Sequence, residues 1–376
     1  MTRPALARSV DTIRPTRAVI DLDALAHNLA EVRGQAASAE VFAVIKADAY
    51  GHGAVPVARR LAAEGAPGLC VALPEEGLEL REAGIRLPIL ILGGTYGNGA
   101  TDILHFGLTP VVHDLEQVER LHEAGGGRKV SVHLKIDTGM SRLGVPDHEL
   151  ARFLWRARRY PSVVFDGLMS HLAFAEYDGE ATEDQLRRFR RALAVAEGMG
   201  VEPKVVHLAN SAALLRFRET HFDVVRPGLA LYGVSPLPGH GEGLRPVMRV
   251  QTQVVQIRSL EAGEKVSYGG TFTTTRPTRV AVLPVGYADG ISQRLANVGP
   301  VLVRGQRAPI VGKVCMDMCM VDVTDAGDLA VGDEVVLLGA QGDQEITASE
   351  LASIVGTVPH DVLTSVSRRV PRFYIG

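Results

Sequence analysis

Cysteine is scarce in this chain: Cys70, Cys315 and Cys319 are the only three in 376 residues. An odd, sparse set builds no disulfide framework, so a reducing compartment, the cytoplasm, is the default expectation. No paired Cys/His set completes a zinc site, and no metal is expected. A basic excess is also missing. The formal net charge of −3 argues against a nucleic-acid partner, which calls for a cationic surface. The apolar runs are too short to span a bilayer. The opening stretch MTRPALARSVDTIRP has no apolar h-region, so neither a membrane partner nor a signal peptide is expected. Lysine is rare: of 40 basic residues only Lys46, Lys129, Lys135, Lys204, Lys265 and Lys313 carry an amine. Apolar material is plentiful, at 46% hydrophobic against 22% charged. That is enough for a large core, and the length suits two domains or a barrel with an appendage.

From about residue 40 to 230, short β-branched apolar runs alternate with amphipathic stretches of helical spacing. The apolar runs are Val41–Ile45, Leu69–Leu73, Ile89–Leu92, Leu108–Val112, Val130–Ile136, Val163–Met169, Val205–Leu208 and Phe222–Val225. Between them, Asp114 with Gln117 marks a helix start. Thr182 with Gln185 has the capping-box pattern, and Leu150, Phe153, Leu154 and Ala157 trace one helical face. Alternation of this kind predicts a parallel sheet with covering helices, and the eight units point to an α/β fold, a (β/α)8 TIM-like barrel. An open doubly wound sheet is the competitor, but no G-x-G-x-x-G turn follows the first strand. After about residue 240 the helical periodicity fades. Val250–Ile257, Val280–Val285, Val301–Val303, Val314–Val323 and Val335–Leu338 read as strands between Gly- and Asp-rich turns. The expected division is a barrel over residues 14–240 and a mainly β domain over 241–376, with Ser235–Gly243 as linker. A further strand candidate at Thr16–Asp21 has the option of pairing with the second domain.

Barrels of this kind place function at the C-terminal ends of their strands. Those ends carry Lys46, Lys135, Arg142, His171, His207 and Arg226. Lys46 follows the apolar run VFAVI, where desolvation lowers an amine's pKa and frees its lone pair for a Schiff base. The bland reading is a lysine that snorkels from a strand end, and Lys135 is a rival on the same grounds. Ser211 and Gly228 lie after the seventh and eighth strands, where barrels often hold phosphate groups. An ordinary helix start and a turn glycine are the alternative.

Several segments together resemble the alanine racemase family: AVIKADAYGHG (43–53), LKIDTGMSRLG (134–144), SHLAFA (170–175), HLANSAA (207–213), VRPGLALYG (225–233), VSYGGTF (266–272), PVGYADG (284–290) and CMDMCMVDV (315–323). Their order and spacing fit over nearly the whole chain. The resemblance implies a barrel plus a C-terminal β domain, with pyridoxal 5′-phosphate as cofactor. It also implies interconversion of L- and D-alanine that supplies cell-wall synthesis, and a homodimer with shared active sites. Residue by residue, it implies that Lys46 carries the cofactor and is the base on the D side of the α-carbon. Tyr268 is the base on the L side and is contributed in trans. Arg142 holds the ring oxygen and helps bind the substrate carboxylate, which the Met316 N–H also receives in trans, and Asp317 next to it counts among the substrate-binding residues. His171 hydrogen-bonds Arg226, and Arg226 faces the pyridine nitrogen. Tyr50, Ser211, Gly228 and Leu229 hold the phosphate, Tyr287 lines the entrance, and Lys135 is a carbamate in some relatives.

One position departs from the family pattern. Arg368 stands where relatives often have a tyrosine that reaches the phosphate and narrows the pocket, so a broad-specificity racemase is one alternative. A non-catalytic pyridoxal-phosphate-binding protein is another, although such proteins lack a C-terminal β domain.

Overall fold

The structure, a computed structural model, describes residues 13–376. Most of the N-terminal stretch read for a signal peptide therefore lies outside the described residues. The chain divides into two compact units. One is Asp23–Arg245, and the other joins Pro246–Gly376 to the chain up to Leu22. The second unit thus begins with the first strand, β1 (Arg17–Asp21).

The first unit is a closed barrel of eight parallel strands: β2 (Glu40–Val44), β3 (Gly68–Val71), β4 (Ile89–Ile91), β5 (Thr109–Val112), β6 (Val130–Asp137), β7 (Val163–Met169), β8 (Val205–His207) and β9 (Val224–Val225). Each strand pairs with the next, and β9 returns to β2. Parallel strands are covered on both sides, which is why they read as continuous apolar runs rather than as alternating patterns. Leu69, Cys70, Val71, Ile89 and Ile91 are fully buried.

The covering helices follow their local signals. Asp114 accepts the Gln117 N–H at 2.8 Å and opens Leu115–Gly125. Helix Leu150–Ala157 buries Leu150, Phe153, Leu154 and Ala157, the face expected from their spacing. One start is earlier than expected. Asp178, not Thr182, caps helix Gly179–Gly198, through the Ala181 N–H at 3.1 Å. Thr182 and Gln185 are buried inside it. The Thr182 hydroxyl donates back to the Asp178 carbonyl, and Gln185 accepts the Ala173 N–H, so both polar groups are satisfied without forming a cap.

The second unit is mainly β. β1 lies between Met248–Gln253, antiparallel, and Arg372–Ile375, parallel. That sheet continues through Glu334–Gln341 to Pro300–Val303 and Gln306–Pro309. A second sheet orders Gln256–Leu260, Thr278–Leu283 and Cys319–Asp322. The expected strand Val314–Val323 is paired only over Cys319–Asp322. Ahead of it, the Cys315 N–H bonds the Met318 carbonyl at 2.9 Å and closes a tight turn. Among the described residues no helix is long and apolar enough to cross a membrane.

Inside the barrel, the β6–β7 register shifts between Val132 and His133, which sets Gly167 opposite His133. A Cβ on Gly167 would sit 2.3 Å from His133 Cγ. Gly167→Ala is expected to overpack this layer and cost about 1–3 kcal/mol. Equilibrium urea unfolding reads the change, and an unshifted midpoint would contradict the packing.

Candidate active site

Lys46 leaves the C-terminal end of β2 half-buried. The four residues after it, Ala47, Asp48, Ala49 and Tyr50, all have φ near +53°. A run of non-glycine residues in the left-handed region costs roughly 1–2 kcal/mol per residue. Neighbouring contacts hold it. Glu76 Oε1 accepts the Ala47 N–H at 2.6 Å, and Asp48 Oδ1 accepts the Ala54 N–H at 2.7 Å. The ring of Tyr50 packs on Tyr232 at 4.8 Å, and the Tyr232 hydroxyl donates to the Val44 carbonyl at 3.0 Å. The left-handed turn carries the Tyr50 hydroxyl to Gly228. A Cβ on Gly228 would lie 2.2 Å from it, so only glycine fits there. The Gly228 N–H donates to Ser211 Oγ at 2.9 Å, and the Ala230 N–H points at the same oxygen at 3.3 Å. Tyr50, Ser211 and Gly228 thus form one cradle of hydroxyls and amides, with Leu229 next in the chain. Such a cradle suits a phosphate.

Positive charge is concentrated on this end of the barrel. The Lys46 amine is held below the usual lysine value by burial first and by Arg142 second. Burial, then Arg142 and Arg226, brings Lys135 down to about 8. His171 is held well below the usual imidazole range by burial and by Arg226, Lys135, Arg142 and Lys46. It is therefore neutral at pH 7. Arg142 is exposed and makes no ion pair among the described residues. The nearest carboxylate in this loop, Asp137, is occupied by the N–H groups of Gly139, Met140 and Ser141. A cation-rich mouth with a desolvated amine fits an anionic group that also carries an electrophilic carbonyl, as pyridoxal phosphate does.

Arg226 is buried, and burial lowers its guanidinium to about 10, so it still keeps its proton at neutral pH. It donates to His207 Nδ1 at 2.6 Å and to the carbonyls of Ser170 and Leu208 at 2.8 and 3.1 Å. No hydrogen bond joins it to His171, the partner implied by the resemblance; His207 takes that place. Because Arg226 is only a donor, His207 Nδ1 accepts, and its Nε2–H then donates to buried His133 Nδ1 at 2.7 Å. His133, which burial pushes down to about 4, was not singled out in the sequence. Its one signal is its place two residues before Lys135 on the same strand face.

The remaining residues belong to the mainly β unit. Tyr268 is 72% exposed and follows Ser267, whose φ is +67°. The Ser267 hydroxyl donates to the Lys313 carbonyl at 2.8 Å, which ties this turn to the Cys315–Met318 turn. The Tyr287 N–H and Ala288 N–H donate to the carbonyls of Cys315 and Met316 at 2.9 and 3.0 Å. Tyr268, Tyr287, Met316 and Asp317 therefore share one loop cluster. Arg368 is exposed, between Ser367 and Arg369. Among the described residues no group of His, Cys, Asp and Glu is placed to hold a metal ion.

A closed parallel barrel with a desolvated lysine and a cradle of hydroxyls and amides at its strand ends, followed by a mainly β unit, fits the class of enzymes that carry an anionic carbonyl cofactor. The comparisons narrow the class. Residues 20–236 match the model of the alanine racemase N-terminal domain, and residues 247–374 that of the C-terminal domain. The alanine racemase of Sorangium cellulosum is 49% identical, covering 96% of this chain and 99% of that one. That of Symbiobacterium thermophilum is 44% identical over 98% and 99%. The crystal structure of alanine racemase from Streptomyces lavendulae superimposes with a TM-score of 0.93 at 39% identity, over 97% of this chain and 98% of that one. A Bartonella henselae alanine racemase crystallised with covalently bound pyridoxal phosphate gives 0.88 at 32% identity, over 96% and 99%. The chain belongs to the alanine racemase family.

The depressed Lys135 amine makes stability depend on pH. Between about 8 and the unfolded value of 10.5 the unfolded chain holds the proton that the folded chain has released. Stability contributed by this group therefore rises with pH across that window. In the cofactor-free protein, Lys135→Met is expected to flatten the rise. Urea midpoints measured from pH 7.5 to 10 in carbonate-free buffer check it, and an unchanged slope would contradict the buried placement.

Proposed function

We propose that this chain is a cytoplasmic alanine racemase that interconverts L- and D-alanine with pyridoxal 5′-phosphate on Lys46, supplying D-alanine for cell-wall synthesis. The observation that carries the reading is the desolvated Lys46 amine beside the Tyr50–Ser211–Gly228 cradle. When bound, the cofactor supplies an electron sink that acidifies the α-proton of an attached amino acid. The chain's own residues do the rest. Racemisation removes a proton from one face of the α-carbon and returns one to the other, so two opposed bases are the simplest arrangement. Lys46 Nζ carries the proton on the D side, and a lowered pKa suits that task. Tyr268 Oη carries it on the L side. Arg142 and the Met316 N–H hold the substrate carboxylate; Asp317, itself an anion, lies beside that N–H and does not receive the carboxylate. Arg226 would face the pyridine nitrogen and give it no proton, because the guanidinium keeps its charge while His207, Ser170 and Leu208 fix its orientation. Tyr50, Ser211, Gly228 and Leu229 hold the phosphate, His171 stays a neutral neighbour, and Tyr287 lines the entrance.

The working form is a homodimer in which Tyr268 and Met316 of one copy complete the site of the other. Tyr268, Met316, Met318 and Tyr287 are exposed by 72%, 52%, 48% and 39%. A cluster of exposed aromatic and thioether side chains is the composition that interfaces cover. The three free thiols, two of them buried, suit a reducing compartment.

Loaded with pyridoxal phosphate, the protein is expected to racemise L-alanine, followed as loss of circular dichroism. Lys46→Ala and Tyr268→Phe are each expected to be inactive alone. Mixed after dissociation, they are expected to recover about a quarter of the unaltered activity, since half of random dimers hold one intact site. Mixtures that pair yet stay inactive would contradict the shared site.

A further inference from the structure

The mainly β unit holds a charge network that none of these roles uses. Asp289 is buried: its Oδ2 accepts the Gly286 N–H at 3.0 Å, and its Oδ1 takes the Arg14 guanidinium at 2.8 Å. Arg369 Nε lies 3.3 Å from the same Oδ1. The other arm of that guanidinium donates to Asp317 Oδ1 at 2.6 Å, and Asp317 is exposed. One arginine therefore spans a buried and a surface carboxylate. The buried one is anchored on its own turn, and that turn is fixed to Cys315 and Met316 through backbone hydrogen bonds. The fit is tight: a Cβ on Gly286 would lie 2.3 Å from the Cys315 carbonyl oxygen and 2.4 Å from that of Met316. The Arg369 guanidinium cannot swing away without breaking the Asp289 contact, so Asp317 is held by a fixed cation.

We propose that Arg369 is a positioning residue for the substrate's carboxylate: it neutralises Asp317 and keeps that side chain turned from the Met316 N–H. The proposal rests on the reading that this N–H receives the carboxylate. Without Arg369 an ionised Asp317, one residue away from the receiving amide, repels the incoming anion and competes for the same donor. Asp289 acts one step further back, as the anchor that pre-orients the guanidinium.

The test compares Arg369→Gln, Asp317→Asn and the double variant as holoenzymes. Three quantities are read: KM and kcat for L-alanine, and the calorimetric Kd of propionate, a carboxylate without the reacting amine. Arg369→Gln is expected to raise KM and the propionate Kd about tenfold, with kcat changed less than about threefold. Adding Asp317→Asn is expected to bring both constants back to within about threefold of the unaltered enzyme. Asp317→Asn alone, at an exposed position, is expected to bind propionate at least as tightly as the unaltered enzyme. A purely structural Arg369 would lower the thermal midpoint in both Arg369 variants and show no rescue, which would overturn the proposal. So would an Arg369→Gln enzyme that binds propionate normally. If the unaltered holoenzyme does not bind propionate while it still racemises alanine, the Met316 reading fails and the proposal fails with it.

Discussion

Four consecutive non-glycine residues wound left-handed after a buried strand are the constraint on which this site depends. The turn at Ala47–Tyr50 costs roughly 1–2 kcal/mol per residue. It persists because Glu76 and Asp48 tie its backbone and Tyr232 packs on its end. Its effect is geometric. A right-handed continuation from Lys46 would send Tyr50 elsewhere, whereas the left-handed one brings the hydroxyl to Gly228 and so couples the amine to the cradle of Ser211 and Gly228. The strain is local and sits where the chemistry sits, as expected of a pre-organised site.

Electrostatics sets the second requirement. Lys46, Lys135, Arg142 and Arg226 crowd one end of the barrel, and each depresses some neighbour's pKa. Folding such a mouth is unfavourable in isolation and becomes favourable when an anion enters. The buried histidines answer in kind. His133 and His207 stay neutral, and His207 presents its lone pair to Arg226, which keeps the guanidinium fixed without adding charge. The mainly β unit follows a different rule. Its exposed Asp317 is compensated by Arg369, and Arg369 by a buried carboxylate.

The barrel was legible in the sequence because parallel strands are buried on both faces and show as uninterrupted apolar runs. Residue-level signals were less uniform. Asp114 caps its helix as its spacing to Gln117 predicts, but Thr182 and Gln185 imitate a cap four residues inside a helix, because buried polar groups satisfied elsewhere look the same in sequence. Lys46 and Lys135 were not separable by spacing, and both are in fact desolvated. What distinguishes Lys46 in space is the left-handed turn to Tyr50, a backbone property that the residue types Ala-Asp-Ala do not announce. The His133–His207 contact depends on the register of β6, β7 and β8, and Arg369 on contacts across more than fifty residues. Neither is encoded at short range. The order of the motifs, by contrast, carried the family.

The central claim is that Lys46, not Lys135, carries the cofactor. Loading the protein with pyridoxal phosphate, reducing with borohydride and mapping the peptides by mass tests it most directly. The account predicts a phosphopyridoxyl group on the peptide that contains Lys46 and none on the peptide that contains Lys135. Modification at Lys135, or at no lysine, would contradict it.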